Sequence, residues 1–227
     1  MQNTTQKFAT TAPIAAVLDI PAGRVRFIAA DRADTTVEVL PANATKSRDV
    51  RAAEETKVEY VDGVLRITAP EAKNQYFGAS GSVEVTVQLP AGSHVEAKAA
   101  GVELRGVGRL GDVAFESAQG PVKLDEAASV RLSLQDGDIT IGRLAGDSEI
   151  STRQGHLNIG EAVRGTVTLR TERGDVSIGA AHGVSASLDA GTTYGRIRNT
   201  LRNSDGAAAD LTIHATTAYG DITAGSL

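Results

Sequence analysis

Leu132–Ile141 (LSLQDGDITI), Ile150–Ile159 (ISTRQGHLNI) and Leu169–Ile178 (LRTERGDVSI) are variants of one pattern. In each, an apolar residue stands five positions before a glycine, and two more stand two and four positions after it. Apolar residues at alternate positions mark a half-buried strand, and a glycine between two such runs marks a turn. Working outward, the pattern centres on Gly120, Gly137, Gly155, Gly174, Gly195 and Gly220, at spacings of 17, 18, 19, 21 and 25 residues. Two positions after these glycines stand Val122, Ile139, Leu157, Val176, Ile197 and Ile222. The last two units keep Leu188 and Ile213 seven residues before the glycine and add Tyr194-Gly195 and Tyr219-Gly220.

Units of strand, turn, strand, turn are too short for a crossover helix between parallel strands. One such coil cannot bury its apolar stripe alone, so the pattern predicts coils stacked about 4.8 Å apart, like positions aligned over a continuous interior. The fold expected is all-β, a single-stranded parallel β-helix (β-solenoid) with an N-terminal β-rich capping region. Residues 1–90 read as a β-strand cap continuous with the solenoid, and residues 91–227 as solenoid repeats of about 17–25 residues. The six glycines are its structural turns. Glycine reaches the left-handed region without steric cost, so Gly174→Val is expected to cost about 1–2 kcal/mol.

Upstream, five of the six prolines (Pro13, Pro21, Pro41, Pro70, Pro90) separate short alternating runs. These runs predict strands at 14–20, 24–29, 35–40, 57–61, 64–68 and 82–89. Asp62-Gly63 is a hairpin signal, because both central residues of such a turn need positive φ. Ile20-Pro21-Ala22-Gly23 and Leu89-Pro90-Ala91-Gly92 read as matching turns, and 46–55 as a helix of about two turns. Residues 202–209 lengthen the last spacing and read as an inserted loop.

Composition narrows function mostly by exclusion. The 23 basic and 28 acidic residues are interspersed and give −5, which offers no footprint for nucleic acid. There is no cysteine, so neither disulfides nor thiolate metal sites arise. Ile14–Leu18 is cut short by Asp19 and is too brief for a signal core or a spanning helix, so a cytoplasmic location is expected, leaderless export aside. Tryptophan is absent and aromatics are 4% of residues, leaving little stacking surface for sugars or single strands.

The residues after the turn glycines are Pro121, Asp138, His156, Asp175, Arg196 and Asp221. Without the glycine doublet of calcium-binding repeats they read as a solvated corner rather than a metal ladder. Stacked in chain order, no two of these aspartates would be neighbours, which predicts a weak ladder of alternating charge. His94, His156, His182 and His214 lack ligand spacing and read as surface residues. Glu103, Glu116, Glu149, Glu161 and Glu172 form no distinctive acid pair of the kind a glycosidase needs. Tyr76-Phe77, adjacent aromatics in a polar loop, are the candidate partner contact.

The strand Val37-Glu38-Val39, the run Arg51-Ala52-Ala53-Glu54 into Val58-Glu59-Tyr60, and Val83–Gly92 carry a family likeness. So do the Gly-Asp-Ile/Val turns and the endings Tyr194–Asn199 and Tyr219–Ile222. Together they resemble the bacterial putative-adhesin domains of unknown function built from β-strand repeats. The resemblance implies a β-solenoid without known enzyme activity. No catalytic, metal-binding or cofactor-binding residue is expected, and no cofactor. The function expected is a non-catalytic scaffold whose partner is a protein, with no nucleic acid and no membrane insertion. Homo-oligomerisation through the solenoid ends is a further expectation, since Gly225-Ser226-Leu227 provides no obvious cap. The alternatives are a polysaccharide-active lyase or glycosidase and a self-assembling structural protein.

Overall fold

The computed structural model describes residues 4–70 and 81–227. They divide into two compact units, the first ending at Gln119 and the second beginning at Gly120; the change of pattern expected near residue 91 falls inside the first. The described residues are overwhelmingly strand.

The first unit holds β1 (Thr4–Ala9), β2 (Ala15–Asp19), β3 (Ala22–Ala30), β4 (Asp34–Pro41), α1 (Ser47–Glu55), β5 (Lys57–Val61), β6 (Val64–Thr68), β7 (Val83–Pro90) and β8 (His94–Gln119). Its parallel ladders do not follow chain order. β2 lies between β6 and β8, and β3 between β7 and β8. Val25 therefore meets Val85 on one side and Leu104 on the other, and all three are buried. Antiparallel strands flank these coils: β5 on β6, β4 on β7 and β1 on β4. The β5–β6 hairpin turns through Asp62 (φ 50°) and Gly63 (φ 78°), the positive pair its sequence demanded. Gly23 begins the β3 ladder rather than following a turn, with φ +139° and a Cβ position 1.8 Å from the Val83 carbonyl oxygen. In α1, the buried Asp49 carboxylate accepts the Ser82 N–H at 3.0 Å and so ties the helix to the start of β7.

The second unit holds β9 (Val122–Asp136), β10 (Ile139–Leu144), β11 (Ser148–Gln154), β12 (Leu157–Ala162), β13 (Gly165–Arg173), β14 (Val176–Ala180), β15 (Ala186–Tyr194), β16 (Ile197–Thr200), a short 3-10 turn (Gly206–Ala208), β17 (Leu211–Tyr219) and β18 (Ile222–Ser226). Every pairing among them is parallel. One ladder runs β9, β11, β13, β17, β15; the other runs β9, β10, β12, β14, β18, β16. Like positions do align: Leu132, Ile150, Leu169 and Ala215 form one buried row, and Val122, Ile139, Leu157, Val176 and Ile222 another.

Stacking in chain order fails at the end of the molecule, where the last coil (β17, β18) is inserted between the coil of β13 and β14 and the coil of β15 and β16. Composition gives the reason. Leu211, Ile213, Ala215, Ile222 and Ala224 are wholly buried in the inserted coil, whereas β16 is exposed at every position. The loop carrying the 3-10 turn supplies the length to pass over one coil. The chain end is thus not the bare end of the stack.

Two glycine rows let the coils approach. Of the six turn glycines, Gly120, Gly137, Gly155, Gly174 and Gly220 have φ between 120° and 154°, well past the left-handed helical value; Gly195 falls outside that range. Close approach unites Gly137, Gly155, Gly174, Gly195 and Gly220. A Cβ on any of them would lie 1.9–2.3 Å from a turn-glycine carbonyl oxygen in the adjacent coil. A second row, Gly142, Gly160 and Gly179, stands five residues after the turn glycine and is equally tight, with a Cβ position 2.3–2.7 Å from a neighbouring carbonyl oxygen.

Candidate functional site

The corner after each turn glycine is a file of acceptors in the second unit. Asp138 Oδ1 accepts the His156 N–H at 2.8 Å, His156 Nδ1 the Asp175 N–H at 3.0 Å, Asp175 Oδ1 the Asp221 N–H at 2.8 Å and Asp221 Oδ1 the Arg196 N–H at 2.8 Å. Charge does not alternate, because coil insertion makes Asp175 and Asp221 neighbours. Their repulsion is offset by the N–H each carboxylate receives from the next coil. The Arg196 backbone N–H, and then its guanidinium at 2.9 Å, hold the Asp221 carboxyl below its ordinary range. A parallel file lies inside: Thr171, Thr217 and Thr192 donate to the carbonyls of Gly155, Gly174 and Gly220 at 3.0–3.1 Å.

The file ends at Arg196, a side chain that donates and cannot accept, 88% exposed. Arg196 belongs to the outermost coil. Among the described residues β15 pairs only with β17 and β16 only with β18, so both strands present an open edge, except at the start of β15, where the Arg202 carbonyl accepts the Ala186 N–H at 2.9 Å. In a parallel ladder, the main-chain groups of alternate residues point to opposite neighbours. The Arg196 carbonyl accepts the Ile222 N–H from β18, so those of Ile197 and Asn199 are directed to the open side. Ile197, whose counterparts in the row are buried, is 46% exposed here. Beside it Tyr194 stacks on Tyr219, ring centroids 4.9 Å apart and planes 10° from parallel. Arg198 and Arg202 are exposed on the same coil. The Ser185 hydroxyl accepts the N–H groups of Ser204 and Asp205, which anchors the inserted loop near the start of β15.

The remaining candidates disperse. His94, His156 and His214 each sit beside one aspartate, Asp112, Asp175 and Asp189, at 3.3–3.5 Å, the first two exposed and His214 half-buried. His182 approaches the Leu227 carbonyl. No group of three metal-ligating side chains occurs among the described residues. Glu103, Glu161 and Glu172 pair with Arg24, Arg143 and Arg153; Glu149 stands between Arg131 and Thr168, and Glu116 lies apart on β8. In the first unit a shallow groove of about 110 Å³ is lined by Arg24, Arg26, Glu84, Thr86, Glu103 and Arg105. That is well below the roughly 300 Å³ at which small-molecule pockets begin. Tyr76 and Phe77 lie outside the described residues. No helix among the described residues is long and apolar enough to cross a membrane.

Comparison with known proteins adds a family and a fold. The family model described as Toastrack DUF4097 matches residues 17–226. A crystal structure of a putative adhesin from Parabacteroides distasonis is 15% identical, with a TM-score of 0.50 over 98% of this chain and 97% of that one. A putative adhesin from Bacteroides fragilis is 11% identical, with a TM-score of 0.48 over 98% and 97%. A protein from P. distasonis described as putative lipid binding is 11% identical, with a TM-score of 0.48 over 97% and 96%. At such identities the likeness concerns the fold alone. No curated protein matches the sequence.

Proposed function

We propose that this chain, which belongs to the Toastrack DUF4097 family, is a non-catalytic β-solenoid scaffold that binds a protein partner through the open coil of its second unit. The observation that carries the reading is the open strand edge of β16, continued by β15 beyond Ala186, with Ile197 exposed where its counterparts are buried. An unpaired edge offers main-chain donors and acceptors as a template for another strand. Stacked Tyr194 and Tyr219 add rigid contact area at little entropic cost. The glutamates weighed as acid catalysts support the reading by their dispersion, three of them being held by arginines.

The test is affinity capture with the intact chain against Ile197→Asp and Tyr194→Ser. Both positions are exposed, so folding is expected to survive. Proteins retained by the parent chain and released by both variants support the reading; an unchanged set of proteins contradicts it. Self-assembly is the second reading, favoured by the same open edge. Light scattering that shows only monomer over a wide concentration range removes it. The polysaccharide-enzyme alternative predicts turnover of a glycan that one Glu→Gln change abolishes.

A further inference from the structure

We infer that the occupant of the open β16 edge is an extended segment of another protein with the alternation acid, apolar, acid, seated opposite Arg196-Ile197-Arg198. The inference rests on the reading above and adds the chemistry of the partner.

The corner file sets the sign. At each earlier step a side-chain acceptor meets an N–H of the next coil; at the last step Arg196 presents donors instead. One of its nitrogens is held by Asp221 at 2.9 Å, yet the side chain is 88% exposed, so its remaining N–H groups face outward. Arg198, two residues on, makes no side-chain hydrogen bond among the described residues and acts on Asp221 only through its charge, and Arg202 extends the cationic run with no acid between in the sequence. A strand continuing the β18–β16 register sets an apolar residue over Ile197, as Ile222 is set beneath it, and flanks it with residues facing the two arginines. Carboxylates at both flanks meet guanidiniums in charge-assisted hydrogen bonds. The main-chain groups of Ile197 and Asn199 supply the ladder.

A second copy is a poor occupant. Antiparallel pairing of β16 with itself opposes arginine to arginine, and like charges directly opposite destabilise a sheet. Nor does the chain contain the complementary segment: its only acid-x-acid triplets are Asp136-Gly137-Asp138 and Asp147-Ser148-Glu149, neither with an apolar centre.

The experiment is fluorescence anisotropy with three labelled peptides of one length, built around Glu-Val-Glu, Gln-Val-Gln and Lys-Val-Lys. They are titrated with the parent chain, Arg198→Glu, Ile197→Pro and Asn199→Pro, each checked for an unchanged melting curve. The two prolines remove an N–H on the open edge and leave the β18 ladder intact; two are made so that one misfolded variant does not end the test. The expected result is that the Glu peptide binds at least about tenfold tighter than the Gln peptide. Arg198→Glu is expected to erase the preference for the Glu peptide over the Lys peptide, since Arg196 still stands at the other flank, and proline to abolish binding of all three. Equal binding of the three peptides, lost with proline, overturns the acidic partner but leaves the open edge as the binding surface. Peptide binding untouched by proline, or none at all, overturns the edge docking itself. A proline-sensitive dimer seen by light scattering overturns the inference in favour of self-association.

Discussion

Replacing Gly174 by alanine tests the close approach of the coils with one methyl group. The alanine Cβ would lie 2.0 Å from the Gly155 carbonyl oxygen and 2.6 Å from its carbon, both backbone atoms that cannot swing aside. Relief requires the two coils to part, and that strains the Gly155 N–H to Arg173 and Leu157 N–H to Asp175 hydrogen bonds, both 2.9 Å. Positive φ, here +149°, adds about 1–2 kcal/mol for a residue with a β-carbon. Overpacking of a rigid interior adds about 1–3 kcal/mol, for a total of about 2–5 kcal/mol. For a chain of this size each kcal/mol lowers Tm by about 2–4 °C, so a fall of about 4–20 °C is expected by circular dichroism. Gly191→Ala and Gly101→Ala are the controls, because their Cβ positions meet nothing within 4 Å. A Gly174→Ala melting curve that overlays those of the controls refutes the reasoning.

Further outcomes follow from the same contacts. Thr171→Val and Thr217→Val each remove a hydroxyl that donates to a glycine carbonyl and are expected to cost about 0.5–1.5 kcal/mol in chemical denaturation; Thr193→Val, on the exposed face, is expected to cost less. Arg32 at 2.7 Å, then Lys7 at 2.8 Å, hold Asp34 at about 2 against an ordinary 3.8. Its ionised form is favoured in the folded chain, so its contribution is complete above pH 3.8 and is lost as pH falls through about 2. Carboxyl NMR should show that midpoint, and Arg32→Ala should move it up; an unmoved midpoint contradicts the assignment. Because His156 Nδ1 accepts the Asp175 N–H, the neutral ring must carry its proton on Nε2, and nitrogen NMR that finds the Nδ1–H form breaks the corner file.

Much of this architecture was legible because strand alternation and turn glycines are local signals. Leu132, Ile150 and Leu169 were aligned by spacing alone, and Asp62-Gly63 announced its hairpin. Coil order was not legible: nothing local distinguishes the segment at 211–226 from the segment at 186–200 as the inner coil. The cue lay in contrast, since Arg196-Ile197-Arg198-Asn199 is more polar than Asp221-Ile222-Thr223-Ala224, and an outer coil tolerates polarity that an inner one does not. That order also hid the candidate site, which rests on which strands lack a neighbour. The threonines three residues before Gly155, Gly174, Gly195 and Gly220, and the second glycine row five residues after the turn, were visible repeats whose purpose became clear only once the carbonyls of the adjacent coil were located.

Insertion of the final coil is the claim on which the open edge depends, and the absence of native cysteine gives a clean background for testing it. Thr168 is opposite His214 across β13 and β17, whereas Asp189 is one strand further away, beyond His214. Cysteines at 168 and 214 are predicted to join under mild oxidation, and cysteines at 168 and 189 to stay free. Ready joining of 168 to 189, with 168 and 214 unreactive, would mean that the coils stack in chain order and that the edge assigned to β15 and β16 is covered.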